Sequence, residues 1–478
     1  MGDRPVAHTL LFMQRVCGVL KHRLRRPAFC SWFLGCCVAV VLLLALSFSG
    51  NAQEPEDPEM TVLSLQKAIE TAVQNSPLLK TAAEEERASQ AVEQGSRAAL
   101  WPRLDLNASY LKENQAIPYI PAQAIDIPAK FSDEVYAWGV FLKFPLYEGG
   151  RLVGQIKVAE LERMAQGLLK EMTLQDLISN VSNTFNKCLQ MEALVQAYGL
   201  SVEALRKARE DMEARFRLGR VPQVEMLRMD VQLSAEEQNL VRAQEGLRRA
   251  RNALAYFMGI ETSKLGSLKG GLEAKERVAA ADISHLVQAR PDVSALTQRL
   301  QAERARLEVT KAKRYPSIGL VSDYGNRAGT GIRDREEVWE AGVVASVNLF
   351  DGGVISSEIA RQQAVVAKAE EALRAGVLRA TKEIEDALSS VREAEARIGL
   401  AENAVLQAKE ALRIEELRYK TGASSITDFL LAQSAFSLAE AGRLQALYDY
   451  TAAVIEFKRA TGSLSAPSTQ ASSFNSKE

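Results

Sequence analysis

Histidine and cysteine are almost missing from this chain of 478 residues, which holds three His and five Cys. Two of the histidines (His8, His22) and four of the cysteines (Cys17, Cys30, Cys36, Cys37) lie in the first 52 residues, leaving Cys188 and His285. A single cysteine forms no internal disulfide. A single histidine removes His-based acid–base catalysis and zinc binding from consideration. No phosphate-binding loop, no Cys-x-x-Cys pair and no nucleophile elbow occurs, so neither an enzyme nor a cofactor or metal is expected. Neither sign of charge dominates: 59 basic against 60 acidic residues give a net −1, and no basic field points to nucleic acid. Proline (14) and glycine (29) are sparse, as long helices require. After the N-terminal segment no run of about 18 apolar residues exists, so no membrane-spanning helix is expected there. What the chain does have is an apolar fraction of 47%, enough for a large core.

Residues 1–52 read as a cleaved secretory leader. Lys21, Arg23, Arg25 and Arg26 precede an apolar run from Trp32 to Phe48, and Gly50-Asn51-Ala52 fits a cleavage site before Gln53. The competing reading is a membrane anchor, because the run is near the lower limit for spanning. No cysteine stands at the cut, so lipid attachment is not indicated.

The rest of the chain repeats itself. Phe144-Pro-Leu-Tyr-Glu-Gly-Gly150 matches Val347-Asn-Leu-Phe-Asp-Gly-Gly353, and the same offset carries Phe216-x-x-Gly219 onto Tyr419-x-x-Gly422 and Gly259 onto Gly462. Upstream, Trp101-Pro102 matches Tyr315-Pro316 and Pro77 matches Pro291, with one length difference in a loop. Turn residues kept in step across each half indicate a duplication. The first repeat spans 61–262: a helix over 77–99, strands over 101–112 and 135–147, a long helix over 149–216, a tip at 217–222 and a return helix over 223–258. A linker, 263–290, leads to the second repeat, 291–462. It begins with a helix over 291–313, followed by strands over 315–324 and 337–350, a long helix over 352–419, a tip at 420–424 and a return helix over 425–461. The polar, Ser-rich 463–478 is expected to be a disordered tail.

The second long helix carries a heptad seam: Leu373, Val377, Ala380, Ile384, Ala387, Val391, Ala394, Ile398 and onward to Leu412. Its steps of four and three alternate without a break, as in a coiled coil. The alternating alanines allow close helix approach. In the first copy the row runs from Leu174 to Leu205, and Cys188 takes the place of Val391, as a small seam residue. A helix of this length reaches about 100 Å, and the two shorter helices of each copy, stacked end to end, nearly match it. Each copy therefore supplies one continuous rod and one broken rod, with the 263–290 linker packing at the break.

The strand segments alternate. Tyr136, Trp138, Val140, Leu142, Phe144 and Leu146 share one face, as do Trp339, Ala341, Val343, Ala345, Val347 and Leu349. Strands of this length cross an outer membrane, and aromatics near their ends suit interface girdles. A hairpin with one face on a soluble core alternates in the same way. Four strands cannot close a barrel, whereas three chains would supply twelve.

The ordered set of landmarks, from the Trp101-Pro102 and Tyr315-Pro316 joints through the paired Gly-Gly joints to the tips Arg215–Leu227 and Arg418–Gln433, closely resembles the TolC-type outer-membrane efflux protein family (outer membrane factors). The resemblance covers about 61–462. It implies a homotrimer in the Gram-negative outer membrane. A twelve-stranded β-barrel continues into an α-helical periplasmic tunnel, mostly α with transmembrane β. It also implies a passive exit duct for tripartite efflux or type I secretion, working with a periplasmic adaptor and an inner-membrane transporter. The barrel would face outer-membrane lipid.

By that resemblance Gly219 and Gly422 are the tip-turn glycines, Phe216 and Tyr419 the aromatics before them, and Arg215 and Arg418 the preceding arginines, all beside the grooves where adaptors dock. Gly149, Gly150, Gly352, Gly353, Pro102 and Pro316 make the strand–helix joints. Asp428 matches an acid at the tunnel constriction, with Glu225 its first-copy counterpart. The family's second acid falls on Leu431 and a gate arginine on Ser424, so an apolar ring is expected in place of an ionic lock. On physical grounds Asp428 is equally suited to its own helix N-terminus. Two other function classes remain in play. A periplasmic coiled-coil adaptor or scaffold without its own pore accounts for the heptads and the leader, but not for four strands in a duplicated frame. A secreted enzyme lacks a clustered site.

Overall fold

The computed structural model describes residues 62–122, 128–272, 282–329 and 335–464. The leader (1–52) and residues 465–478 of the expected tail lie outside the described residues. The elements in chain order are β1 (Val62–Leu63), α1 (Leu65–Asn75), α2 (Pro77–Ala98), β2 (Arg103–Ile120), β3 (Lys130–Glu148), α3 (Arg151–Arg217), α4 (Gln223–Met258), β4 (Ser267–Leu268), α5 (Ile283–Ala289), α6 (Pro291–Lys311), β5 (Ser317–Ala328), β6 (Arg335–Ser346), α7 (Val354–Lys420) and α8 (Ile426–Ala460). Short 3-10 turns lie at Thr262–Lys264 and Ala312–Arg314.

Helices α3 and α7, 67 residues each, are the continuous rods, about 100 Å long. Helices α2 and α4 both pack along α3, and α6 and α8 both pack along α7 and, on their other side, along α3. The α7 seam explains this closeness: Ala380, Ile384, Ala387, Val391 and Ala394 are all buried, with large and small residues alternating against α5, α6 and α8. Each buried Ile or Val side chain of this kind contributes about 1.5–3 kcal/mol. On α3 the matching row, Leu177, Val181, Cys188, Val202 and Leu205, is buried as well. Burial pushes the Cys188 thiol up to about 12, so it stays protonated and inert.

The break in each broken rod falls where a return helix meets a proline-started helix. In the second repeat Arg290 precedes Pro291 and is buried. Its guanidinium donates to the Ala460 carbonyl at 2.9 Å, to Asp292 at 2.8 Å and to Glu383 of α7 at 2.7 Å. In the first repeat Ser76 holds the same place, and the joint is instead covered by apolar residues of β1, α1, α3 and α4, among them Leu63, Ile69, Phe185 and Leu254. Strand β1 pairs in parallel with β4, which ties the start of the described chain to the linker. These small elements were not apparent in the sequence. Two-residue strands carry no periodicity, and α1 and α5 are too short for a repeating seam.

Strands β2, β3, β5 and β6 form one antiparallel sheet in that order. Alternation gives it two different faces. Leu104, Leu106, Ala108 and Tyr110 of β2 lie opposite Leu142, Val140, Trp138 and Tyr136 of β3. Leu320 and Tyr324 of β5 continue that apolar face to Val343 and Trp339 of β6. The other face carries Arg103, Asp105, Asn107, Lys143, Asp323, Arg327 and Glu340. Among the described residues no helix packs along either face.

Two strand expectations need correction. The loop expected over 113–134 is largely strand, because β2 runs to Ile120 and β3 starts at Lys130. Pro118 interrupts the sequence pattern, yet it sits in a strand at the edge of the chain's sheet and beside a register shift, both places where strands tolerate proline. Conversely, β6 stops at Ser346 instead of 350, leaving Leu349 and Phe350 about 90% exposed. The equivalent stretch of β3 stays extended because β5 pairs with it, Tyr147 to Ile318 and Glu148 to Ser317. As an edge, β6 has no such neighbour within the chain.

Candidate functional site

The two helical hairpin tips lie together at one end of the rods. Each is closed by a glycine in the left-handed region, Gly219 at φ 72° and Gly422 at φ 78°. In the first tip the Arg220 amide donates to the Arg215 carbonyl at 3.0 Å and Gly219 to Phe216 at 2.8 Å; in the second, Ala423 donates to Arg418 at 2.7 Å and Gly422 to Tyr419 at 3.1 Å. This double bond pattern satisfies the last helical carbonyls and needs a residue without a Cβ at its turn.

The arginines at these tips differ. Arg418 pairs with Glu415 at 2.7 Å within its own helix. Arg215 reaches the other repeat, with its guanidinium 5.6 Å from the centre of the Tyr419 ring. Tyr419 also stacks on Phe429 at 5.7 Å, and its hydroxyl oxygen is buried without a hydrogen-bond partner. Burial raises the Tyr419 pKa, the Arg215 charge opposes this, and Glu225 and Asp211 add to it. Phe216, the counterpart of Tyr419, is partly exposed. Leu205, Met212, Met229, Ile426, Phe429 and Leu430 form the apolar cluster that joins the two tips, and Arg228 donates to the Thr427 hydroxyl at 2.8 Å.

Asp428 turns back on its own helix. It accepts from the Ser425 hydroxyl at 2.7 Å and the Ser425 amide at 3.2 Å, and the Ser425 hydroxyl accepts from the Asp428 amide at 3.2 Å. This capping box starts α8, and the Ser425 hydroxyl, more than any other group, holds the Asp428 carboxyl below the usual carboxylate range. Asp428 and Leu431 are both exposed, one turn apart on α8; Glu225 is half-buried in the first turn of α4. The structure thus brings Glu225 into electrostatic reach of Tyr419, while Asp428 and Leu431 remain exposed on the surface of the chain.

Above the tips, α3, α7 and α8 enclose a groove of about 590 Å³. Met212, Leu412, Tyr419, Phe429 and Phe436 supply its apolar surface, and Lys207, Asp211, Arg215, Glu416, Lys420 and Glu440 its charges. Higher on the same interface the contacts turn polar: Gln433 donates to the Ser201 hydroxyl at 2.9 Å and Ser437 to Glu236 at 2.6 Å. Sequence reasoning missed this groove, together with Arg290. Seam spacing finds partners within a hairpin, not between the two hairpins.

The strand–helix joints are at the other end. Pro102 and Pro316 lie just ahead of β2 and β5. Gly149, Gly150, Gly352 and Gly353 all have positive φ and precede α3 and α7. Gly149 is also crowded, since a Cβ there would lie 2.6 Å from the Cβ of Tyr315 and 2.9 Å from the Ala312 carbonyl oxygen. Asp351 accepts from the amides of Gly353 at 2.9 Å and Ile355 at 2.7 Å, which caps α7 and lowers the Asp351 pKa. Among the described residues no cluster of His, Cys, Asp and Glu could hold a metal ion.

A family model for "Outer membrane efflux protein" matches residues 68–260 and 283–463, one stretch per repeat. The chain belongs to that family. This efflux-family chain is 24% identical over 413 residues to outer membrane protein TolC of Vibrio cholerae, covering 84% of this chain and 91% of that one. It is 24% identical over 446 residues to outer membrane protein OprJ of Pseudomonas aeruginosa, covering 88% and 90%. Its fold is similar to that of the MtrE outer membrane channel of Neisseria gonorrhoeae solved in an open state, with a TM-score of 0.71, 20% identity, and coverage of 84% of this chain and 90% of that one. The mostly helical, coiled-coil architecture is therefore that of outer membrane channels, and family members are channels rather than enzymes.

Proposed function

We propose that three copies of this chain close their sheets into a twelve-stranded barrel in the outer membrane. The rods continue the barrel as a helical tunnel through the periplasm, after export by a cleaved leader. The observation that carries this reading is the sheet: one face is apolar and exposed, and both edge strands, β2 and β6, have unpaired backbone groups. Water penalises the face and a bilayer penalises the edges, so only closure with other copies inside lipid satisfies both. Twelve strands leave an open lumen. The outer flanks of the rods support the same assembly: Val224, Leu227 and Val231 of α4 and Leu400, Leu406 and Leu417 of α7 are exposed.

The duct is passive. The sequence carries no phosphate-binding loop, energy comes from an inner-membrane transporter, and a periplasmic adaptor seats at the tips. The groove between α3, α7 and α8, with its apolar surface and mixed charges, suits a helical partner. Glu225, Asp428 and Leu431 form the constriction, the acids favouring cations and Leu431 narrowing the hole. Arg215, Phe216, Gly219, Arg418, Tyr419 and Gly422 shape the docking tips, while the Gly-Gly and Pro joints hold barrel to tunnel.

Carbonate extraction of membranes, followed by electrophoresis with and without boiling, tests the assembly. The protein is expected to stay with the membrane and to run as an oligomer that collapses on heating. Release by carbonate as a monomer would instead support a scaffold without a pore. Loss of crosslinking to the adaptor in a Gly219→Val variant checks the docking surface.

A further inference from the structure

The duplication persists in three dimensions. Arg103 and Ser317, each the residue after the joint proline, pair with Lys143 and Ser346, which lie equally far ahead of their Gly-Gly joints. The two hairpins thus share one register, and residues that match in sequence occupy matching places. The repeats also meet each other within the chain: α6 and α8 of the second pack along α3 of the first, and β5 pairs with β3. Side chains along that seam fit one another. A Cβ on Gly154 would lie 2.6 Å from a Val309 methyl group, and Tyr315 fills the space over Gly149. Arg306 pairs with Glu162, and the Gln190 amide donates to Gln445 at 2.7 Å. The matching flanks, on α7 and on α2 and α4, are open. A Cβ at Gly95 or Gly352 meets nothing within 4 Å, and Val92, Trp101, Arg242, Ser357 and Glu393 are exposed. Glu393 meets Arg397 of its own helix at 3.9 Å.

We infer that these open flanks belong together: α2 and α4 of one copy seat on α7 of the next as α6 and α8 seat on α3, and β2 pairs with β6 as β5 pairs with β3. This rests on the three-copy assembly proposed above and gives its seam residue by residue. Sequence equivalence places Gly95 against Ser357, Val92 against Val365, Arg242 against Glu393 and Trp101 over Gly352, the first of each pair coming from the neighbouring copy. Each change is matched across the seam. The valine that fills Gly154 has become Gly95, and Gly154 itself has become Ser357, so the small residue has moved to the other helix. The Arg306–Glu162 ion pair has become two valines, which gain by leaving water. The paired amides of Gln190 and Gln445 have become opposite charges on Glu393 and Arg242. A glycine still stands beneath an aromatic side chain at the strand–helix joint. The end of the β3–β5 ladder, Tyr147 with Ile318, likewise sets the exposed Phe350 against Leu104 of the neighbouring copy.

The exchanged chemistry also makes the seam specific. Were α6 of a neighbouring copy to face α7 in place of α2, Arg306 would meet Val365 and lose water without gaining an acid. Copies therefore join first repeat to second repeat, a head-to-tail order that closes a ring.

Disulfide trapping of the protein in membranes tests the seam. The Cβ position of Gly154 lies 3.8 Å from the Val309 Cβ, a separation that a disulfide spans. Gly95→Cys with Ser357→Cys is therefore expected to link copies on mild oxidation, giving a covalent trimer that survives boiling and falls to monomer with reductant. Gly154→Cys with Val309→Cys is expected to link within the chain, and so to run as a monomer after boiling. Gly95→Cys with Arg361→Cys, one helical turn along α7, is expected to stay mainly monomeric after boiling. Cys188 stays silent because it is buried and protonated. Independently, Arg242→Glu is expected to lower the temperature at which the unlinked oligomer dissociates, and adding Glu393→Arg to restore it. An oligomer that forms without the 95–357 link, while the 154–309 link closes, would overturn the seam and leave the assembly standing. So would a charge swap that restores nothing. An unaltered protein that runs as a monomer before boiling would overturn the assembly and the inference with it.

Discussion

The guanidinium of Arg290 and the carboxylate of Glu383 meet at 2.7 Å between the broken and the continuous rod of the second repeat. Arg290 also holds the last helical carbonyl, Ala460, so one side chain binds three segments at the break. Its side chain is 7% exposed. Arg290→Ala leaves two carboxylates facing a buried gap, with an expected cost of about 3 kcal/mol. Arg290→Lys recovers only part of this, because an ammonium cannot span the fork of acceptors. Denaturant unfolding followed by far-ultraviolet circular dichroism checks both.

Gly149 and Gly150 are neighbours with the same backbone handedness, φ 63° and 86°, but different surroundings. A Cβ at 150 meets nothing within 4 Å, whereas at 149 it collides with Tyr315 and Ala312. Gly150→Ala is expected to cost about 1–2 kcal/mol, the left-handed penalty alone. Gly149→Ala adds a clash with Tyr315 and the Ala312 carbonyl at the strand–helix joint and, under the proposed trimeric assembly, is expected to reduce the yield of assembled oligomer sharply. The amount of heat-modifiable oligomer in membranes distinguishes the two.

At the tip, the unpartnered Tyr419 hydroxyl makes Tyr419→Phe informative. Stacking on Phe429 and the contact with Arg215 survive, and a buried polar atom without a partner is removed. Stability is expected to be unchanged or higher by about 1 kcal/mol, whereas Tyr419→Ala should lose about 3 kcal/mol. Thermal melts of the three proteins settle the order.

Asp428 has an observed role as a helix cap and a proposed one at the constriction. As the capping-box acid its pKa is lowered, so its stabilising effect is fully present above the unfolded value of about 3.9 and is lost as pH falls through the lower folded value. As a constriction acid it favours cations over the same pH range. Asp428→Asn is expected to shift the reversal potential of bilayer recordings in a salt gradient toward zero at neutral pH. An unchanged potential and conductance would leave Asp428 with the capping role alone.

Much of this was legible in the sequence because it is local or periodic. The seam of α7, the tip glycines, the acid-Gly-Gly joints and the two faces of each strand all follow from side-chain spacing and backbone handedness. The duplication made each landmark visible twice. Only the tertiary structure decided that β3 pairs with β5 and so joins the two repeats in one sheet. It also revealed that β2 runs past Pro118 to Ile120, paired with β3, and that Arg290 clamps one joint while apolar residues cover the other. These depend on partners tens to hundreds of residues away, and spacing along one element carries no record of what lies against it.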